Sequence, residues 1–196
     1  MDVVVLRYKA GNIQSVLFAL QRLGISPVLS SDPEVIAKAD KVIFPGVGEA
    51  SGTMKELKES GLDVHIKNLK QPFLGICLGL QLMCKHSEEG TVDCLNIFNL
   101  NVKKFISTDS TLKIPHVGWN NISGLKGSLF KGVPENSYVY YVHSFYAEIG
   151  NETCASTDYI NPFSAALMKD NFYAVQFHPE KSGATGELIL KNFIEL

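Results

Sequence analysis

Two residues in this 196-residue chain are well placed for covalent chemistry, Cys77 and His178. Cys77 lies in the run Gly75-Ile76-Cys77-Leu78-Gly79-Leu80-Gln81, where an apolar strand pattern gives way to a helical one. A nucleophile between two glycines at such a junction has the pattern of a nucleophile elbow, with a thiol in place of the hydroxyl. The sharp turn lifts the side chain out of the sheet, and the missing side chains at Gly75 and Gly79 let strand and helix approach closely. A helix N-terminus favours the thiolate over the thiol. The amide of Leu78 then points to where a tetrahedral oxyanion would form. Taken alone the run is ambiguous, because free cysteine is among the most buried residue types.

The second segment is Val175-Gln176-Phe177-His178-Pro179-Glu180. On an extended strand, side chains two apart share a face. Glu180 can therefore hold His178 in the tautomer that presents its free nitrogen to a thiol, the base-plus-orienter logic of a triad. The third segment, Pro45-Gly46-Val47-Gly48, also ends a strand. In open α/β sheets, ligand sites gather beyond the carboxyl ends of the strands. The Val47 or Gly48 amide would then supply a second oxyanion donor. As a nucleotide loop the run fits poorly, since Ser51 stands where GxGxxG needs its third glycine. Each segment alone has an ordinary structural explanation; together they supply nucleophile, base with orienter, and oxyanion donors.

The elements that must position these groups follow from hydrophobic periodicity. Short apolar runs at 3–6, 27–29, 41–44 and 72–76 alternate with helical patterns at 13–23, 33–39, 50–60, 62–69 and 78–85. Such alternation gives βαβ units and an α/β fold with a mostly parallel sheet covered by helices on both faces. From about residue 96 the pattern changes to closely spaced strands that read as antiparallel, before a terminal helix over 184–194. No linker, repeat or low-complexity tract divides the chain, so residues 1–196 read as a single domain. The charge balance of 18 basic against 20 acidic residues gives no footprint for nucleic acid or anionic membrane. Four cysteines without a CxxC pair make neither a disulfide framework nor a zinc site. No apolar run reaches the ~18 residues of a membrane span. The expectation is a soluble, cytoplasmic enzyme without metal or cofactor.

Pro45-Gly46-x-Gly48, Gly75-Ile76-Cys77-Leu78-Gly79-x-Gln81 and Gln176-Phe177-His178-Pro179-Glu180 together resemble the three signatures of class I, triad-type glutamine amidotransferases. The similarity runs from Tyr8-Lys9-Ala10-Gly11-Asn12 to Phe193. It implies a flavodoxin-like open sheet with an antiparallel strand extension. It also implies a glutaminase in which Cys77 attacks the glutamine side-chain amide, His178 protonates the departing ammonia and Glu180 orients His178. Val47 and Leu78 would stabilise the oxyanions through their amides. Gly48, Gln81, Glu89, Ser144 and Phe145 would hold the glutamine. Within the family, Pro115-His116-Val117-Gly118-Trp119-Asn120 and Tyr141-Val142-His143-Ser144-Phe145 are similar to a branch serving histidine biosynthesis. Its glutaminase subunits form a heterodimer with a synthase (cyclase) subunit built as a (β/α)8 barrel, to which the ammonia passes. Asn12 and Trp119 are the residues expected at that interface, with core packing the alternative for Trp119 in a polar loop.

The sequence departs from many relatives at Arg7-Tyr8-Lys9, which adds charge near the expected partner face. Val47 stands in the usual Pro-Gly-Gly, and a β-branched residue resists positive φ. The Gly46–Val47 peptide is therefore expected not to settle freely as a donor, leaving the isolated subunit a poor glutaminase. Two rivals stay open: a glutaminase for another acceptor (vitamin B6, a nucleotide or a surface sugar), and a flavodoxin-like redox sensor using the elbow cysteine. Cys84, Cys94 and Cys154 read as core residues, and His65 and His86 as solvated positions on polar helical stretches. His116 and His143 read as structural hydrogen-bonding groups rather than proton carriers.

Overall fold

The computed structural model of the chain describes residues 1–8, 13–108 and 111–196. Its strands are β1 (Val3–Leu6), β2 (Val28–Ser30), β3 (Lys41–Gly46), β4 (Phe73–Cys77), β5 (His86–Ser87), β6 (Val92–Asp93), β7 (Asn101–Lys104), β8 (His116–Asn121), β9 (Tyr138–His143), β10 (Phe145–Ala147), β11 (Thr153–Asp158), β12 (Pro162–Lys169) and β13 (Phe172–Val175). The helices are α1 (Ile13–Arg22), α2 (Pro33–Lys38), α3 (Ala50–Ser60), α4 (Leu62–Asn68), α5 (Leu78–Met83) and α6 (Gly183–Ile194). A seven-stranded sheet runs in the order β11-β12-β13-β4-β3-β1-β2. The strands β13, β4, β3, β1 and β2 are mutually parallel, while β11 and β12 add an antiparallel edge.

Both faces of the inner parallel strands β1, β3 and β4 are buried, as continuous apolar runs require, while Val28 and Leu29 of the edge strand β2 stay exposed. Val4, Val42, Phe44 and Phe73 pack into one core with Ile36 of α2, Leu57 of α3, Ile66 of α4 and Leu82 of α5. Their neighbours in the chain, Val3, Val5, Ile43 and Leu74, pack into the other with Leu20 of α1 and Phe193 of α6. Local signals set the ends of the helices. Asp32 caps α2 by accepting from Glu34 N at 2.9 Å, with Pro33 as its first residue. Glu49 caps α3 by accepting from Ser51 N and Gly52 N. Gly61, at φ +72°, ends α3 and starts α4.

Several expectations change. Strand β3 continues through Pro45 and Gly46, and α5 stops at Met83, leaving buried Cys84 just past its end. His86 lies on β5 rather than on a helix, with Nδ1 2.8 Å from Asp93 Oδ1. The segment after residue 96 is not all antiparallel, because β13 inserts beside β4 in parallel. Trp119 is not in a loop: it lies on β8, which pairs with β9 in a separate two-stranded sheet. The periodic signal failed there because Gly118 and the asparagines interrupt any apolar alternation.

Candidate active site

Three carboxyl strand ends converge. Parallel registry places Gly46 of β3 beside Cys77 of β4, and Val175 of β13 beside Ile76. The backbone at Cys77 has φ +55° and ψ −106°, outside the ordinary regions for a side chain-bearing residue, and α5 begins at the next residue. The flanking glycines fit this turn closely. A Cβ on Gly75 would lie 2.9 Å from the Gly79 carbonyl carbon and 2.5 Å from Met83 Sδ. A Cβ on Gly79 would collide with the Phe44 carbonyl oxygen. Strand and helix can thus meet only because both positions lack side chains. Leu78, as the first helical residue, has an N–H free of any intrahelical acceptor.

The carboxyl end of β3 is seated against the elbow. A Cβ on Gly46 would be 2.7 Å from both Leu78 Cβ and the Tyr8 hydroxyl oxygen. Tyr8 donates that hydroxyl to the Pro45 carbonyl. Burial, helped by the charges of Cys77 and Glu56, raises the Tyr8 pKa well above its ordinary value, so the group stays a donor. Sequence reading gave Tyr8 no role, because its contact is 37 residues away. Val47 is about one-third exposed, and Gly48 takes up the unusual φ of +139°.

His178 and Glu180 do form a pair, by a route other than the expected strand. Strand β13 ends at Val175, and Pro179 opens a 3-10 turn over Pro179–Lys181. The chain has left the strand before Pro179, whose missing N–H and fixed φ suit the first position of a helical turn. The turn still brings Glu180 Oε1 to 2.8 Å from His178 Nδ1, with both side chains almost fully buried. The segment is pinned by His178 N donating to Tyr140 O at 2.9 Å and by Ser182 Oγ donating to His178 O. Among the described residues, the buried His178 Nε2 finds no hydrogen bond of ordinary geometry. Burial lowers the proton affinity of this ring. The charges and hydrogen-bonding capacity of Cys77, then of Glu180, outweigh that and push its pKa up to about 10.

Cys77 opens into a cavity of about 300 Å3. Its walls include all five expected glutamine-holding residues: Gly48, Gln81, Glu89, Ser144 and Phe145. Val47 and Leu78 line it too, with Pro115, Val142 and His143 completing the wall. Glu89 sits on the turn between β5 and β6, and its Oε2 accepts from Ala50 N, the first residue of α3, at 2.9 Å. Burial raises the Glu89 carboxyl, the Ala50 hydrogen bond partly offsets this, and nearby Glu49 adds to the rise. A carboxylate so placed gains from an arriving ammonium group. Gln81 Nε2 donates to the Phe145 carbonyl at 2.9 Å.

His143 lines the cavity but is committed elsewhere. Its Nδ1 meets the Phe145 carbonyl at 2.7 Å, and its Nε2 meets His116 Nδ1 at 3.1 Å. Burial lowers His143 to about 3 and His116 to about 4, so both rings are neutral at neutral pH. Trp119 lies on the outer face of the β8–β9 hairpin, 55% exposed, which excludes the core-packing alternative. Asn12 lies outside the described residues.

Residues 8–196 match the family described as glutamine amidotransferase class-I. The protein named imidazole glycerol phosphate synthase subunit HisH from Bacteroides fragilis (strain YCH46) is 62% identical over 196 residues, spanning 100% of both chains. A protein of the same name from Yersinia pseudotuberculosis serotype I is 48% identical over 198 residues, again spanning 100% of both. Among solved structures, a glutamine amidotransferase superimposes with a TM-score of 0.74 at 16% identity, covering 98% of this chain and 97% of that one. That last likeness is one of fold. The chain belongs to the class-I glutamine amidotransferases.

Proposed function

We propose that this chain is the glutaminase subunit of imidazole glycerol phosphate synthase, and that Cys77, His178 and Glu180 are its triad. The observation that carries the catalytic reading is the pairing of one ring nitrogen of His178 with Glu180, while the other is buried, without a hydrogen bond of ordinary geometry among the described residues, and under the electrostatic influence of Cys77. The identity of the acceptor rests on the full-length similarity to proteins of that name.

The chemistry proceeds in two acyl transfers. The Cys77 thiolate attacks the side-chain amide carbon of glutamine, forming a C–S bond, and the carbonyl oxygen takes up the charge. The Leu78 amide, with that of Val47, stabilises the oxyanion. As the C–N bond breaks, His178 Nε2 delivers a proton and ammonia leaves. Water then attacks the thioester and gives its proton to His178. Glutamate departs, and the thiolate–imidazolium pair is restored. Glu89 and Gln81 hold the amino-acid end of the substrate, with Gly48, Ser144 and Phe145 completing the pocket.

The ammonia is delivered to a synthase subunit of (β/α)8 architecture in a heterodimer. The exposed apolar face of the β8–β9 hairpin supports this docking. Val117, Trp119 and Tyr138 are all more than half exposed there, on the same face and next to the cavity wall. A redox sensor would need no carboxylate locked to His178, so the Glu180 contact favours the hydrolase. Val47, poorly suited to positive φ, makes glutamine turnover depend on the partner.

The test is glutamate release from glutamine, measured with and without the barrel subunit carrying its ribotide ligand. Rapid turnover only in the loaded complex is expected. Equal turnover with and without the partner removes the dependence on docking. Absence of turnover in the loaded complex overturns the functional reading.

A further inference from the structure

Gln176 has no part in the reaction just described, yet it is fully buried and touches the reacting sulfur. Its Nε2 lies 3.6 Å from Cys77 Sγ, and its Oε1 lies 3.1 Å from Gln81 Nε2. The orientation of both amides follows from a single oxygen. A backbone carbonyl can only accept, so the Gln81 atom 2.9 Å from the Phe145 oxygen must be the NH2 group. That NH2 also faces Gln176, which must answer with its own oxygen. The Gln176 NH2 is thereby turned toward Cys77. The reverse orientation would set donor against donor at Gln81 and an oxygen against the sulfur lone pairs.

We propose that Gln176 is a positioning residue for the anionic form of Cys77, a neutral donor that stabilises the thiolate and fixes the sulfur. The inference rests on the reading of Cys77 as the glutaminase nucleophile. Hydrogen bonds to a charged acceptor are stronger than those to a neutral one, so the amide favours thiolate over thiol. Unlike His178, it does so without exchanging a proton, and its influence persists through every stage in which the sulfur carries charge. The backbone N of Gln176 donates to Ala165 O at 2.8 Å, which anchors the residue to the neighbouring strand β12.

The test compares Gln176→Leu and Gln176→Glu with the wild-type chain, each in complex with the synthase subunit. Leucine fills similar space without a donor, and glutamate places an oxygen toward the sulfur. The first readout is the pH profile of Cys77 alkylation by iodoacetamide, with the adduct located by mass spectrometry because Cys84, Cys94 and Cys154 are also free thiols. The second is the division of any rate loss between kcat and KM for glutamine. The alkylation profile is expected to move to higher pH by about one unit in Gln176→Leu, a tenfold change in thiolate, and further in Gln176→Glu. A kcat about tenfold lower, with KM changed less than about threefold, should accompany it. Folded variants whose alkylation profiles coincide with wild type overturn the proposal, whatever happens to kcat. If neither variant folds, the Gln176 side-chain amide resonances of the wild-type chain decide: they should shift as Cys77 titrates, and a pH-independent signal overturns the proposal. Failure of the wild type to hydrolyse glutamine in the loaded complex would instead strike the functional reading and leave the alkylation comparison intact.

Discussion

Replacing Glu180 with glutamine keeps an oxygen within reach of His178 Nδ1, 2.8 Å away in the native pair, but removes its charge. Burial works against a proton on His178, while Cys77 and Glu180 raise the ring from 6.5 to about 10. A hydrogen bond to a charged partner contributes about 1.5–3 kcal/mol, which corresponds to about 1–2 pH units. The Glu180→Gln ring should therefore titrate near ~8–9. The proposed chemistry needs His178 protonated when ammonia departs, so the rate holds below the ring's pKa and is lost above it. Glutamine kcat/KM measured from neutral to strongly alkaline pH in the loaded complex should show the alkaline limb moved down by about 1–2 units, with the neutral-pH rate nearly held because the ring is still protonated there. An unmoved limb, or a loss as deep as that of Cys77→Ser, would refute the assignment of Glu180 to charge support. Stability has a matching sign. A ring raised in the folded state stabilises fully below about 6.5, and this contribution is lost as pH rises toward 10. The melting-temperature gap between wild type and Glu180→Gln should accordingly be widest below that point and close at alkaline pH.

Cys77→Ser and His178→Ala should each lower glutamine hydrolysis by at least about 10^4-fold, and the double variant little further, because triad members act as a unit. Gel filtration should show both variants still forming the complex. Gly79→Ala drives a Cβ into the Phe44 carbonyl and should cost about 1–3 kcal/mol, lowering the melting temperature by several degrees; an unchanged melting temperature contradicts the tight elbow. Trp119→Ala should weaken synthase-subunit binding about 30-fold by calorimetry, the loss of about 2 kcal/mol typical of an interface anchor. Because Trp119 is 55% exposed, thermal stability should stay nearly constant; unchanged affinity removes it from the interface.

The elbow was legible because its requirements are local: Gly75, Cys77 and Gly79 satisfy a backbone constraint within five residues of chain. His178 and Glu180 were legible as partners but not as a conformation. A spacing of two suits a strand, and Pro179 turned it into a 3-10 turn that achieves the same proximity. Strand β8 escaped notice because its inward positions include His116 and Asn120, polar residues that pair with His143 and the Asp158 carbonyl instead of forming an apolar stripe. The parallel placement of β13 depends on its choice of β4 as a neighbour, about a hundred residues earlier, which periodicity does not encode. Gln176 was visible in its motif, but its role emerges only from contacts with Gln81 and Cys77 across 95 and 99 positions.

The β8–β9 hairpin presents Val117, Trp119 and Tyr138 outward, while His116, Tyr141 and His143 face inward. Slipping one strand by a single residue would invert this arrangement, sealing the indole inside and driving the imidazoles into water. The ribbon is therefore confined to one alignment and transmits load as a plate. A protein leaning on the indole presses on the same strand pair whose Val142 carbonyl stands 3.9 Å from the reacting sulfur.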